Sequence, residues 1–187
     1  MRGYFGIGVE GISKPMNLGS LLRSAHAFGA SFAFTIGAAF DAKAAAQSDT
    51  SAAVASLPFH AYGNLADLQL PHGCRLVGVE FREDAAGLPS FTHPSQAAYV
   101  LGAERASLSP ALVERCDFLV KIPTKFCVNL AIAGAIVMYD RMISLGRFAE
   151  RPVRAGGTQA RREPHIHGEP LWKRKRGKAS AAENRGQ

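Results

Sequence analysis

The fold class is decided by the stretch YFGIGVEGISKPMNLGSLLRSAHAFGASFAFTIG, residues 4–37, in which two kinds of apolar pattern alternate. The short apolar and aromatic runs at 4–12 and 31–37 are typical of buried β-strands. Between them, residues 20–28 carry apolar side chains at the spacing of one helical face. Strands that alternate with helices predict a parallel sheet that is covered by helices on both faces.

The same alternation continues to residue 148. Three further runs predict strands at 74–81, 97–104 and 117–123, and two predict helices at 109–116 and 129–148. The segment 38–57 is rich in Ala, Ser and Asp, and we assign it no firm structure. We therefore expect one α/β domain over residues 1–148, followed by a separate segment at 149–187.

Several helix ends carry their own chemical signals. Gly29 follows the last apolar helical position and is expected to end that helix in a left-handed conformation. Ser109 followed by Pro110 predicts an N-cap and a first helical residue. Pro15, by contrast, is expected to delay the start of the helix that follows the first strand. The last helix is apolar nearly all round, so we expect it to be buried on several sides, and self-association is one way to bury it.

Composition excludes several classes of protein. With 187 residues, 47% hydrophobic and 20% charged, the chain can bury a core and is not wholly disordered. No run reaches the roughly 18 consecutive apolar residues of a membrane span, and the first 11 residues lack the features of a signal peptide. We therefore expect a soluble, cytoplasmic protein. Three cysteines without CxxC spacing argue against a disulfide framework and a structural zinc site.

Charge is distributed unevenly along the chain. Residues 1–146 hold 11 basic and 11 acidic residues, whereas residues 147–187 hold 11 and 4, which is the whole net charge of +7. A segment so basic and so poor in apolar residues is expected to be mobile in isolation and to bind a polyanion such as RNA. A solubilising tail without a specific partner is the alternative. The residues expected to contact RNA are Lys173, Arg174, Lys175 and Arg176.

The first glycine-rich motif allows two interpretations. Residues 6–11, GIGVEG, match the GxGxxG pattern of dinucleotide-binding proteins and would indicate an NAD-dependent enzyme. That pattern has to follow a strand and open a helix, so that the pyrophosphate meets the amides at the helix N-terminus. Here the glycines alternate with apolar residues of the strand itself, which favours a structural role.

Polar residues follow three of the predicted strands. Asn17 and Arg23 come after the first strand, Glu104 ends the run YVLGAE, and Asn129 closes the run IPTKFCVN. Each of them alone is more often a helix cap or a solvated surface residue. Because the carboxyl ends of parallel strands meet at one edge of a sheet, four such groups together predict a ligand site there.

These runs resemble the three motifs of the SpoU/TrmH family of SPOUT-class RNA methyltransferases, in the same order and at about the same spacing. The first is NxGxxxRSAxAFG at 17–29, and the second is LGAE at 101–104 with LSPALVERCD at 108–117. The third is IP followed by VN within 122–129. The resemblance covers roughly residues 5–148.

The resemblance implies a doubly wound, mostly parallel sheet whose C-terminal segment forms a deep trefoil knot, and it implies a homodimer. It also implies transfer of a methyl group from S-adenosylmethionine to a ribose 2'-hydroxyl of tRNA or rRNA, without a metal. The residues that match the donor pocket of the family are Leu101, Gly102, Ile122 and Val128. Those that match its polar catalytic site are Asn17, Arg23, Glu104, Cys127 and Asn129, and Arg23 is also expected to contact an RNA phosphate.

Three departures from the family pattern keep other functions open. Cys127 stands where relatives usually have serine, the 122–129 loop is about three residues shorter, and residues 105–107 replace common glycines. If these changes abolish donor binding, the chain would be a non-catalytic RNA-binding or ribosome-assembly protein. Cys127 as a nucleophile lacks a nearby histidine partner, and His165 with His167 is a weak metal pattern.

The resemblance does not by itself say which parts of this chain contact the RNA. Since the predicted sheet begins at about Tyr4, we expect no separate RNA-binding domain before it. Contacts with the substrate are then expected from the basic tail, the partner subunit and residues 38–57.

Overall fold

In the computed structural model, residues 3–47, 57–103, 107–146 and 148 are described. Within them, seven strands form one sheet in which every pair is parallel. The strands are β1 (Tyr4–Glu10), β2 (Phe32–Ile36), β3 (Phe59–Tyr62), β4 (Arg75–Val79), β5 (Ala86–Gly87), β6 (Gln96–Leu101) and β7 (Phe118–Lys121). The predicted α/β class with a parallel sheet is confirmed.

Helices cover both faces of the sheet. They are α1 (Pro15–Ala27), α2 (Ala42–Gln47), α3 (Pro110–Arg115) and α4 (Leu130–Leu145), with 3-10 turns at Leu65–Asp67 and Leu88–Ser90. Helices α1 and α4 pack together over one face, where Ile7, Leu22 and Tyr99 belong to the larger core cluster. Helix α3 contributes Leu112 to a second cluster on the other face. Among the described residues no helix has the length and apolarity that crossing a bilayer requires.

The strand order is β3-β2-β1-β6-β4-β7-β5, so β6 is inserted between two strands that precede it in the chain. Ala97, Ala98, Tyr99 and Val100 of β6 are completely buried. Because all the strands are parallel, the carboxyl ends of β1, β6, β4 and β7 lie side by side. The polar residues that follow these strands are thereby brought to one edge.

Several predicted element boundaries are confirmed and others are wrong. Gly29 has φ +74°, as expected for a residue that ends a helix. The Ser109 side chain accepts a hydrogen bond from Leu112 N at 3.2 Å, which confirms its role as N-cap. Pro15, expected to delay α1, instead occupies the first helical position, where its missing N–H leaves no hydrogen bond unmade.

Two expectations about helices need correction. Residues 42–47 form α2 within the 38–57 segment, for which the sequence predicts no firm structure, and residues 48–56 lie outside the described residues. Helix α4 buries its inner face, but Ile132 remains 55% exposed, so burial on several sides is not achieved within one chain. The inner face lies so close to α1 at Gly134 that a Cβ added at this glycine would overlap Leu21 Cδ1.

The glycines of β1 make room for aromatic rings. Gly6 pairs with Phe32 and Gly8 with Phe34 of β2, and a Cβ at either glycine would overlap the opposite ring. The two rings stack on each other with centroids 6.1 Å apart. Both glycines lie inside a strand, as expected, rather than at a helix N-terminus where the dinucleotide pattern would need them, and they make room for packing.

The opposite, amino-terminal edge of the sheet contains a buried charge. Arg141 of α4 is completely buried and donates hydrogen bonds to the carbonyl of Ser95 at 2.8 Å and to the carbonyl of Tyr4 at 3.2 Å. Nearby, His93 lies between the Tyr99 hydroxyl at 2.6 Å and an Asp140 carboxylate oxygen at 2.9 Å. Burial lowers the pKa of His93 despite the opposing effect of the carboxylate, so the ring is neutral around pH 7.

Alanine substitutions at Gly6 and Gly8 should show whether the aromatic ring opposite each glycine can move aside. The ring opposite Gly8 belongs to Phe34, which is 1% exposed, whereas Phe32 opposite Gly6 is only partly buried. We expect Gly8→Ala to lower the free energy of unfolding by about 1–3 kcal/mol, and Gly6→Ala by clearly less, since Phe32 can rotate outward. Urea denaturation followed by circular dichroism measures both, and equal losses would contradict this explanation.

Candidate active site

A cavity of about 280 Å³ opens at the carboxyl edge of the sheet. Its wall is built from residues that end or directly follow β4, β6 and β7 and from the first turns of α4. The described residues that line it are Val79, Glu80, Phe81, Leu101, Gly102, Ala103, Ser107, Ile122, Thr124, Cys127, Val128, Leu130 and Ala133. It therefore lies where ligands bind in open parallel sheets.

All four residues predicted for the donor pocket line this cavity. They are Leu101, Gly102, Ile122 and Val128, and Cys127 of the predicted polar site joins them. Leu101 and Gly102 lie at the end of β6, whereas Ile122 and Val128 begin and end the loop between β7 and α4. The second and third motifs are thus brought together, although contact with a methyl donor stays a prediction.

Asn129 connects the third motif to the first. Its Oδ1 accepts hydrogen bonds from Ala131 N at 2.9 Å and from Ile132 N at 3.4 Å, which caps α4. Its Nδ2 lies 3.4 Å from Asn17 Oδ1, to which it donates. Asn17 is not itself a cap, because Lys14 occupies the N-cap position of α1. The side chain of Asn129, at the start of α4, therefore helps to orient that of Asn17 in the first turn of α1.

Other residues of the predicted site are placed differently. Arg23 is exposed on α1, six residues after Asn17, which corresponds to about 9 Å along the helix axis. It is not one of the described residues that line the cavity. Glu104 lies in the 104–106 segment, outside the described residues, as do Lys173, Arg174, Lys175 and Arg176.

The loop from Ile122 to Asn129 is held in shape by its own hydrogen bonds. Thr124 N donates to Ile122 O at 2.8 Å, and Thr124 Oγ1 donates to Phe126 O at 2.8 Å. Phe126 is 75% exposed, and Cys127, a free thiol, is also exposed. The loop, expected to be short, therefore forms a compact turn that directs Cys127 and Val128 to the cavity wall.

Sequence reasoning missed several residues of the wall, and Glu80 is the most important of them. It directly follows β4, so the rule that selected polar residues after strand ends could have found it. Among the described residues lining the cavity, Glu80 alone carries a formal charge. The rest of this wall is apolar or presents backbone groups and small polar side chains. Such a cavity suits a ligand with apolar parts and a positive charge.

Side chains that commonly bind metal ions are not clustered in the described part of the chain. Within it, no group of three or more His, Cys, Asp or Glu side chains is arranged to hold a metal ion. The cavity wall described above supplies one carboxylate and one thiol.

Comparison with known sequences gives one consistent result. The profile of the SpoU rRNA Methylase family matches residues 5–139. The 23S rRNA (guanosine-2'-O-)-methyltransferase RlmB of Coxiella burnetii is 30% identical over 139 residues, covering 71% of this chain and 55% of that protein. The RlmB of Nitrosomonas europaea is 31% identical over 140 residues, covering 71% and 53%. The chain thus spans about half the length of these relatives.

Solved structures share the fold. An rRNA methyltransferase from Sinorhizobium meliloti, solved with AdoMet bound, has a TM-score of 0.68 at 24% identity, covering 79% of this chain and 59% of that one. A structure described as giving insights into 2-OH methylation of C/U34 on tRNA has a TM-score of 0.66 at 20% identity. That comparison covers 78% of this chain and 92% of the other. At these identities the likeness concerns the fold.

The two roles of Asn129 can be separated by substitution. We expect Asn129→Ala to lower the free energy of unfolding by about 1 kcal/mol, because the cap of α4 is lost. Asn129→Asp keeps the capping oxygen and should stay within about 0.5 kcal/mol of the wild type, although it loses the donor to Asn17. Chemical denaturation measures the free energy of unfolding of both variants and the wild type. An Asn129→Ala variant as stable as the wild type would refute the capping role.

Proposed function

Because the chain belongs to the SpoU rRNA methylase family, we propose that it transfers a methyl group from S-adenosylmethionine to a ribose 2'-hydroxyl of RNA. The observation that carries the proposal is the meeting of the three motifs at one edge of the sheet. Gly102 and Val128 line one cavity, and Asn129, the neighbour of Val128, contacts Asn17. Three distant stretches of sequence thus form one site.

The cavity fits the proposed donor. When bound, S-adenosylmethionine supplies a methyl group on a positively charged sulfur, which leaves as a neutral thioether. The wall offers apolar surface from Leu101, Ile122 and Val128, backbone groups at Gly102, and the Glu80 carboxylate, which favours a cation. The task of this chain's residues is to bind the donor and to position the hydroxyl in line with the carbon–sulfur bond. As the new carbon–oxygen bond forms and the carbon–sulfur bond breaks, the hydroxyl proton is released to water.

On the acceptor side, we assign positioning and electrostatic roles to the polar residues. The arginine side chain has no acceptor and is a poor general base, so Arg23 holds an RNA phosphate and stabilises developing charge. Asn17, oriented by Asn129, holds the ribose or the Arg23 side chain. Glu104 pairs with Arg23 or with amides on the donor side, and Cys127 supplies a weak hydrogen-bonding group.

The active protein is proposed to be a homodimer. On the side of α4 that faces away from the sheet, Ile132 and Tyr139 are 55% and 48% exposed, and they lie seven residues apart on one helical face. Met16 of the neighbouring helix α1 is 85% exposed. Large apolar side chains clustered on two packed helices support a surface that a second copy covers.

The remaining parts of the proposal concern topology and substrate. We assign the chain a doubly wound sheet with a C-terminal trefoil knot; the position of Val128 and Leu130 against the ends of β4 and β6 supports this. The protein acts in the cytoplasm on tRNA or rRNA, and residues 149–187 form a basic tail that binds the RNA. The tail's excess of positive charge supports that role.

The function is tested with donor binding and with Arg23→Ala. We expect S-adenosylmethionine and its demethylated product to raise the melting temperature while NAD does not, because only a ligand of the native state stabilises it. Arg23→Ala should abolish methyl transfer to RNA and leave the calorimetric affinity for S-adenosylmethionine nearly unchanged. Arg75→Ala is the matched control, since this exposed arginine lies at the other end of the sheet and pairs with Asp117.

Each result has a contrary outcome. Stabilisation by NAD alone would favour a dehydrogenase. RNA binding without any donor binding would favour an RNA-binding protein without catalysis. Loss of donor affinity in Arg23→Ala would contradict the assignment of that residue to the acceptor side.

The role of the tail is tested by replacing Lys173, Arg174, Lys175 and Arg176 with glutamine. If all four meet phosphates, the slope of log affinity for RNA against log salt should become shallower by about 3, with donor affinity spared. Filter binding over a range of salt concentrations measures the slope. An unchanged slope would show that these residues make no phosphate contacts.

A further inference from the structure

Two glutamates stand on either side of β6 at the edge that bears the cavity. Glu10 is the last residue of β1, and Glu80 directly follows β4. Strand β6 lies between β1 and β4, so the chain leaves β6 at Gly102 between the two strand ends that carry these glutamates. Neither glutamate belongs to the three motifs that define the proposed site.

Both carboxylates bind the same short stretch of the chain further on. Glu10 Oε2 accepts from Ser109 N at 2.7 Å, and Glu10 Oε1 accepts from Ser109 Oγ at 2.6 Å. Glu80 Oε2 accepts from Leu108 N at 2.7 Å, and its Oε1 accepts from Phe81 N at 3.1 Å. Both glutamates are half-buried, and hydrogen bonds to a charged acceptor in such surroundings are stronger than those between neutral groups.

These contacts fix the far end of the loop that follows β6. Ser109 is also the N-cap of α3, so the start of this helix is tied to the edge of the sheet. Gly102, Ala103 and Ser107 line the cavity, and only residues 104–106 separate Ala103 from Ser107. Holding Leu108 and Ser109 in place therefore restricts the position of Ser107, which precedes them on the cavity wall.

We propose that Glu10 and Glu80 are positioning residues that hold Leu108 and Ser109, and through them keep Ser107 at the wall of the pocket that binds the methyl donor. The inference rests on the proposed function, because it assigns the two carboxylates to the donor pocket of that same site. Neither residue needs to touch the donor. Their effect is preorganisation, since a part of the wall that is fixed before the ligand arrives loses less conformational entropy when the ligand binds.

The two positions should respond differently to glutamine. Both oxygens of Glu80 accept from backbone N–H groups, so a glutamine side chain at this position would turn its own NH₂ toward another donor. At Glu10, one of the partners is the Ser109 hydroxyl, which can rotate and accept from the new NH₂. Glu80→Gln therefore breaks the contact, whereas Glu10→Gln preserves most of it.

The test compares Glu80→Gln and Glu10→Gln with Glu83→Gln, an exposed glutamate three residues beyond Glu80. Titration calorimetry with S-adenosylmethionine and S-adenosylhomocysteine gives the affinities. We expect Glu80→Gln to weaken S-adenosylhomocysteine, whose sulfur is uncharged, about tenfold, the effect of roughly one hydrogen bond, and S-adenosylmethionine at least as much. Glu10→Gln is expected to weaken both ligands by about threefold. Glu83→Gln should match the wild type. RNA affinity should not change in any variant, which separates loop positioning from a general loss of structure.

The outcomes separate the inference from the proposed function. A wild-type protein that binds neither ligand defeats the proposed function and, with it, this inference. Wild-type binding together with an unaltered Glu80→Gln overturns the inference alone. A loss confined to S-adenosylmethionine, which carries the positive sulfur, overturns it too, because that pattern indicates direct charge attraction. If Glu80→Gln is unfolded at the assay temperature, Glu10→Gln decides. The inference is overturned if Glu10→Gln binds each of the two ligands as tightly as Glu83→Gln does.

Discussion

The insertion of β6 between β1 and β4 is the constraint on which the site depends. Hydrogen-bonded ladders on both sides fix the strand at the centre of the sheet, and its small residues Ala97 and Ala98 let the neighbouring layers pack against it. The chain therefore emerges at Gly102 with a strand end on each side. The cavity, its single described carboxylate and the loop after β6 all follow from this arrangement.

Helix α4 is held at both of its ends, and this makes it a firm side for the cavity. At its first turn Asn129 supplies the cap and the contact to α1. Near its other end Arg141 is buried against carbonyls at the beginning of β1 and β6. A buried guanidinium is costly unless its donors are paired, so α4 has little freedom to slide along the sheet.

The central strands and the motif residues could be predicted from sequence because burial leaves a strong apolar signal. Strand β3 was missed since it lies at the edge and is half exposed, and β5 has only two residues. The start of α1 was misplaced because Pro15 was interpreted as an obstacle rather than as a first helical residue. Glu80 was missed although it follows a strand, because it belongs to no motif. The convergence of Asn17 with Asn129 was expected, and the cap that Asn129 forms is local, but the hydrogen bond between the two amides depends on the packing of α1 against α4.

Because α1 and α4 lie close together at Gly134, the size of the side chain at position 134 limits the size of the side chain at position 21. A methyl group at 134 would need the space of Leu21 Cδ1, and Leu21 is fully buried. Leu21 lies one turn after Asn17, and Gly134 lies five residues after Asn129, so the distance between the helices also sets the spacing of the amide pair. In evolution, a larger residue at 134 would have to arise together with a smaller one at 21. The two positions are expected to covary because of volume alone, even though neither is among the described residues that line the cavity.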